Sequence, residues 1–416
     1  MTQCAEVICV GTELLLGEIL NGNAQFLAQQ LAQLGIPHYY QTVVGDNPER
    51  IKQAIAIAKA RSQLLIFTGG LGPTPDDLTT ATLADFFGAP LVERADVLEG
   101  IRQKFERRGR IMTDNNRKQA CFPEGAEVLP NRLGSAPGII WTPDPGLVIM
   151  TFPGVPREMH AMWQETAAPY LQRHGWVQSI IYSRVLRFWG VSESGLAEQV
   201  APLFELKNPT VAPYAGNGEV RLRISTKAAS QTEAEAQIAP VEAKIRAIAG
   251  LDCYGADDDT LAAVVGRLLQ SRGETLAVAE SCTGGGLGQL LTAIPGSSTY
   301  FWGGIIAYDN QVKTNLLQVS SSDLETHGAV SEPVANQMAL GVQQRLKTDW
   351  ALSITGIAGP GGGTADKPVG LVYIGLADPT GAVTSVAHQF GGFRGRDWVR
   401  HLSSAAALDK LRRQLL

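Results

Sequence analysis

The sequence predicts an α/β protein: two three-layer α/β domains with mostly parallel sheets, joined by a small α+β module. Three observations predict this. Short β-rich runs alternate with helical runs at both ends of the chain. Some of those β-runs are apolar throughout, as strands covered on both faces are. The middle instead reads as a hairpin set between helices. A chain of 416 residues also exceeds one ordinary core. Segments 1–170, 175–252 and 258–416 are therefore expected to be separate domains.

The first segment opens with the short strand Glu6–Gly11, which holds an acidic residue inside an apolar run. A helix follows, with Phe26, Leu27, Leu31 and Leu34 on one face and Gly35 as its stop. The run from His38 to Asp46 is strand-like and that from Glu49 to Arg61 helical. LLIFTGGLG is an apolar strand entering a glycine turn. In a parallel sheet, ligands sit beyond the carboxyl ends of the strands. The loops after Val10, Val44, Phe67 and Phe152 all lie at that edge.

In the second segment, SIIYSRVLRFWGV is a strand and ESGLAEQVAPLF a helix. Residues 211–228 read as a hairpin turning at Gly216–Gly218. The helix over 233–250 contains Pro240, which predicts a break or kink near Ala239. The third segment starts with an acid-capped helix closed by Gly273. TLAVAES is a strand, and CTGGGLGQLLTAI opens the next helix. GGIIAYDN, WALSITGIAG and VGLVYIGLAD are further strands, and a helix closes the chain.

Composition limits the function classes. Hydrophobic residues at 44% and charged ones at 18% are globular values. A net charge of −5 leaves no basic surplus to neutralise a nucleic-acid backbone, which argues against nucleic acid as a partner. No apolar run approaches the ~18 residues of a membrane span. The N-terminus has no basic leader and is expected to be a strand, not a signal peptide. The five cysteines (Cys4, Cys9, Cys121, Cys253, Cys282) are scattered and odd in number, which fits a reducing cytoplasm rather than a disulfide framework.

Chemistry concentrates in three places. Ser281 lies between a strand and a helix, followed by Gly284, Gly285 and Gly286, which let a substrate approach the backbone. A serine needs a neighbouring base. His327, His388 and His401 form no recognisable order with it, and Lys313, after a strand, is the better candidate if it is desolvated near other cations. Cys282 is a rival nucleophile. Two N-terminal glycine loops suggest phosphate chemistry. One is Gly11-Thr12-Glu13 to Gly17 with Asn21 and Asn23. The other runs from Gly69 through Gly70, Gly72 and Thr74 to Asp76 and Asp77. Paired carboxylates at a strand end can hold a divalent cation, with Asp46 nearby. Asp76 and Asp77 are equally an acidic cap for the following helix. Pro153 and Gly154 sit in a third rigid loop, before Glu158.

The third segment resembles the C-terminal domain of the CinA family, which is similar to stand-alone deamidases of nicotinamide mononucleotide (NMN). AESCTGG (279–285), PGSSTYFWGGIIAYDNQVK (295–313), HGAVSEPVA (327–335), SITGIAGPGGG (353–363) and KPVGLVYIGLA (367–377) carry the match. The resemblance implies a Ser/Lys mechanism at Ser281 and Lys313, supported by Tyr308, Thr355 and a late arginine. The family's compact F-x-G-D-R is here F-G-G-F-R-G-R-D, which leaves Arg394 or Arg396 as that arginine; the spacing to Asp397 and Arg400 favours Arg396. Backbone amides near Gly284–Gly285 or Thr355–Gly356 would hold the oxyanion. Arg396 and the loop Gly359–Gly363, including Gly361, would hold the phosphate. No cofactor is expected at this site.

GTELLLGEILNGN, TGGLGPTPDD and FPGVP resemble the MogA/MoaB-like domain at the front of CinA proteins. There the resemblance implies an ADP-ribose pyrophosphatase using a divalent metal (Mg, Mn or Co) at Asp46, Asp76 and Asp77. A nucleotide- or pterin-binding module, or an interaction protein of competence or DNA damage, are the alternatives. The middle segment is then KH-like but lacks the G-x-x-G clamp. A homodimer is also implied.

Overall fold

A computed structural model describes residues 3–176, 180–216, 218–228 and 230–416. The chain divides into two compact units: residues 1–182 with 226–235, and residues 183–225 with 236–416.

The first unit is built on a six-stranded sheet. Ala5–Val10 lies between His38–Val44 and Leu64–Thr68, and Val148–Phe152 continues the parallel set. Gly138–Trp141 and Glu127–Leu129 add two antiparallel strands. Parallel strands need helical crossovers, and Gly22–Gln33 and Pro48–Lys59 supply them. Ala5, Val7 and Cys9 face one apolar cluster, whereas Ile8 and Val10 face the other. Burial on both faces explains why these strands read as unbroken apolar runs.

Glu6 is fully buried in that first strand and is held by Arg61 through two hydrogen bonds of 2.7 and 2.8 Å. Thr42 Oγ1 donates a third, and the Arg61 guanidinium lies over the Tyr40 ring. The acidic residue inside an apolar run is thus a paired core charge.

Two local expectations change. Thr12–Leu16 is a short helix rather than an open phosphate loop, ended by Gly17. The helix after Asp76 and Asp77 starts at Thr79, with no side-chain cap. Asp77 instead accepts from Thr74 within its own turn. The acidic pair is therefore not a helix cap.

A four-stranded sheet follows in the chain, in the order Thr210–Gly216, Glu219–Ala228, Ile180–Phe188, Cys253–Ala256. The hairpin is present, with Gly216 opposite Glu219; Asn217 lies outside the described residues. The helix Gln231–Ala249 runs unbroken past Pro240, contrary to the predicted break. Packing of its Ala234, Ile238, Val241 and Ile245 outweighs one missing amide.

The C-terminal sheet has the order Phe301–Ile306, Leu276–Glu280, Trp350–Gly356, Leu371–Ala377, Val383–Gln389. The first three strands are parallel and the last two antiparallel. The sheet is mixed because Leu371 and Val383 are reached through loops, not helices. The closing helix is Arg396–Leu415. No helix among the described residues is long and apolar enough to cross a membrane.

Replacing Arg61 with alanine leaves the Glu6 carboxylate buried and unpaired. We expect the unfolding transition of the first unit to lose about 2–3 kcal/mol in urea titration. An unchanged midpoint would show that Glu6 is not held as described.

Candidate active site

The site begins at the carboxyl end of Leu276–Glu280. Ser281 leaves that strand with its amide donating to Ile354 O at 2.9 Å, and the chain then turns through Gly284 and Gly285 into the helix Gly286–Thr292. Both glycines have positive φ, 56° and 96°, which explains the residue type there. Ser281 is buried to 8% exposure, and its hydroxyl has no hydrogen-bond partner among the described residues.

Glu280 fixes the turn. Its carboxylate is 1% exposed and accepts from the amides of Gly285 at 3.0 Å, Leu287 at 3.1 Å and Gly288 at 2.8 Å. One anion therefore satisfies the first amides of the helix, which favour negative charge. Arg400 holds the other side, donating to Thr283 O at 2.9 Å. Sequence reasoning missed both residues. The available signal was a glutamate at the end of an apolar strand, immediately before a glycine turn.

This arrangement corrects one expectation. The Gly285 amide is bound to Glu280, and the Gly284 amide donates to Ser281 O at 3.1 Å. Neither is free to receive an oxyanion. Thr355 donates its hydroxyl to Ala329 O at 2.7 Å, and Gly356 lies opposite Val372 in the sheet. The amide of Thr283 has no acceptor among the described residues.

Lys313 lies in the helix Asn310–Leu317, past the strand end, and is 1% exposed rather than solvated. Its Nζ donates to Ala307 O at 2.8 Å and Tyr308 O at 3.0 Å. The Ala307 amide in turn donates to Glu280 O at 2.8 Å, which ties the lysine to the residue before Ser281. Burial lowers the Lys313 pKa below the ordinary lysine value, and the nearby charge of Asp309 opposes that shift only in part. Desolvation, not a neighbouring cation, is the cause. A neutral amine has two N–H donors and one lone pair. In the neutral form the two carbonyls would take both donors and leave the lone pair free.

Cys282 is different. Burial pushes its thiol up to about 11, against the pull of Arg396 and Arg400. At neutral pH it stays protonated and a poor nucleophile.

Arg396 donates to Gly359 O at 2.9 Å and to the Tyr308 hydroxyl at 3.2 Å. It therefore joins the glycine loop to the segment carrying Lys313. Arg394 instead lies over the rings of Trp398 and Phe393. Gly359 is buried and Gly361 exposed along the same loop.

In the first unit, a cavity of about 410 Å³ is lined by Gly11, Glu13, Asp46, Gly70, Gly72, Asp76, Asp77, Pro153, Gly154 and Glu158, among others. The turn closes tightly: a Cβ on Gly69 would lie 2.0 Å from Val10 O. Thr12 donates to Asp46 through both amide and hydroxyl at 2.8 Å, as Thr74 does to Asp77. Asn23 donates to Thr68 Oγ1 and Gly154 O at 2.9 Å, while its Oδ1 is buried without a partner. Among the described residues, no three His, Cys, Asp or Glu side chains converge as a metal-binding group. Asp46, Asp76 and Asp77 line one cavity together with Glu13 and Glu158.

Fold and site together define a class: a MoaB-like α/β domain, a KH-like module, and an α/β domain with a serine at a strand–helix turn and a buried lysine tied to the preceding strand through Ala307. Family models match in that order. They are described as a probable molybdopterin binding domain over residues 6–173, a damage-inducible protein CinA KH domain over 183–255, and a CinA C-terminal domain over 258–415. The chain belongs to the CinA family. It is 69% identical over 416 residues to a CinA-like protein of Cyanothece sp., covering 100% of this chain and 99% of that one. A CinA-like protein of Synechococcus elongatus is 68% identical over 413 residues, covering 99% and 98%. A solved competence/damage inducible protein from Agrobacterium tumefaciens is 40% identical, covering 36% of this chain and 91% of its own, with a TM-score of 0.36.

Glu280→Ala removes one carboxylate from three amides. The second unit is expected to lose about 3 kcal/mol of stability, read as a lower urea midpoint. A midpoint equal to the parent's would mean that the turn does not depend on Glu280.

Proposed function

We propose that the C-terminal domain is a serine–lysine amidohydrolase that converts NMN to nicotinate mononucleotide and ammonia. The observation that carries this reading is the buried Lys313 amine, held by two carbonyls and tied through Ala307 to the Ser281 turn.

The chemistry follows from those groups. The lone pair of neutral Lys313 takes the Ser281 hydroxyl proton as Oγ bonds to the carboxamide carbon. The carbonyl π electrons move to oxygen, and the Thr283 amide at the same turn, left without an acceptor among the described residues, would receive that oxyanion. Protonated Lys313 gives its proton to the amide nitrogen, the C–N bond breaks, and ammonia leaves. Water, deprotonated by the again neutral lysine, cleaves the ester and restores Ser281. Arg396 and Arg400, whose charges already act on Cys282, suit the nucleotide phosphate.

Ser281→Ala is expected to lower kcat by at least about 10⁴-fold, measured as ammonia release from NMN. Cys282→Ala should stay within a few-fold of the parent. The reverse pattern would make the cysteine the nucleophile.

The pH dependence has a defined sign. Below its pKa, Lys313 is protonated and cannot accept the serine proton. Activity therefore rises with pH, and burial places the midpoint of that rise below the ~10.4 of a free lysine. A kcat/KM profile whose limb disappears in Lys313→Met, with activity down about 10³-fold, is the expected result. A limb that survives the substitution would assign it to another group.

For the N-terminal domain we propose binding of a nucleoside diphosphate such as ADP-ribose. Gly70, Gly72 and Gly154 open the cavity to a diphosphate, and the unpartnered Asn23 Oδ1 lies beside it. Five carboxylates around that cavity would repel a phosphate without a counter-cation. ADP-ribose binding, and its cleavage to AMP, are thus expected only with Mg, Mn or Co added. Binding with no cleavage under any of the three would make the domain a binding module.

A further inference from the structure

The second unit contains a further open pocket, of about 280 Å³, which shares no lining residue with the Ser281 site. Its wall is mostly apolar, with Trp189, Leu290, Ile294 and Leu408 among the lining residues, which gives it the character of a small-molecule pocket. One edge is charged. Arg187, Arg221 and the Tyr254 hydroxyl all converge on the single carboxylate of Glu219, with Arg187 at 2.8 Å.

The charges at that edge do not balance. Two guanidiniums face one carboxylate, and neither arginine pairs with any other acidic side chain among the described residues. Asp257 offers Arg187 only its backbone carbonyl at 2.5 Å, and its carboxylate pairs with Arg184 at 2.6 Å. One positive charge therefore remains at the rim of an apolar space, with guanidinium donors suited to an oxyanion. Tyr254 and Glu219, 7% and 10% exposed, make this edge part of the core rather than a solvated surface.

We propose that this pocket binds a small ring-bearing monoanion. The ring would lie against Trp189 and the aliphatic wall, and a carboxylate, sulfonate or phosphate would meet Arg187 and Arg221. This site is independent of the amidohydrolase reading: it rests on other residues.

The test uses the full chain and two matched probes, 1-naphthalenesulfonate and the uncharged 1-naphthol, titrated by calorimetry. The sulfonate is expected to bind at least tenfold more tightly than the naphthol. Ala293 lines the mouth and is exposed, so Ala293→Trp should fill the pocket without disturbing the fold and weaken the sulfonate at least tenfold. Arg221→Gln should remove the preference for the anion while leaving naphthol unchanged. No sulfonate binding, binding unaffected by Ala293→Trp, or equal affinity for the two probes in the parent would overturn the proposal. If Arg221→Gln proves unfolded by circular dichroism, the Ala293→Trp comparison decides alone.

Discussion

The structure of the C-terminal site depends on one constraint: an amine buried to 1% exposure must be satisfied without an anion. A charged lysine there would carry a large desolvation cost, and a neutral one carries little. The fold answers with two main-chain carbonyls, Ala307 and Tyr308, at the point where a strand passes into the lysine's own helix. The same Ala307 pairs back to Glu280 O, so the residue that satisfies the lysine also fixes the strand that presents Ser281. Lys313 and the Ser281 turn are therefore tied to one short piece of main chain.

Around this, charge is handled by type. Glu280 stays in the core because three amides of the following helix point at it. Cys282 is kept neutral by burial, which removes it as a competitor one residue from the serine. Arg396 and Arg400 come from the last helix and leave the rim of the site positive. The N-terminal cavity has the opposite sign, with carboxylates from five positions around glycine turns. The two sites thus differ in sign, one rimmed by guanidiniums and the other by carboxylates.

Much of this was legible in the sequence. Unbroken apolar runs such as LLIFT reported strands covered on both faces, and the Ser-Cys-Thr-Gly-Gly stretch reported a strand–helix turn. The two halves of the site could be named because each sits in a motif with its own local signature. What could not be read were contacts made across the chain. Glu280 looks like one more surface acid until the helix amides are placed around it. Arg400 sits one turn beyond Arg396, and only the packing of the last helix directs it to Thr283 O. The amides of Gly284 and Gly285 looked free because their acceptors, Ser281 O and Glu280, depend on how tightly the turn closes. Pro240 was read as a break because propensity is local, whereas the helix is held by tertiary packing. The arginine ambiguity was likewise one of side-chain direction: Arg394 stacks on Trp398 while Arg396 reaches Tyr308.

The central claim is that Lys313 is a buried amine whose proton is held less tightly than that of an ordinary lysine. Its titration can be followed directly, by NMR of the full chain carrying 13C-labelled lysine side chains, with Lys313→Met used to assign the signal. The account predicts a midpoint clearly below 10.5 for that one resonance, with the other lysine signals unmoved by the substitution. A Lys313 resonance that titrates at or above 10.5 would contradict it, because the amine would then be a charged structural group rather than the base for Ser281.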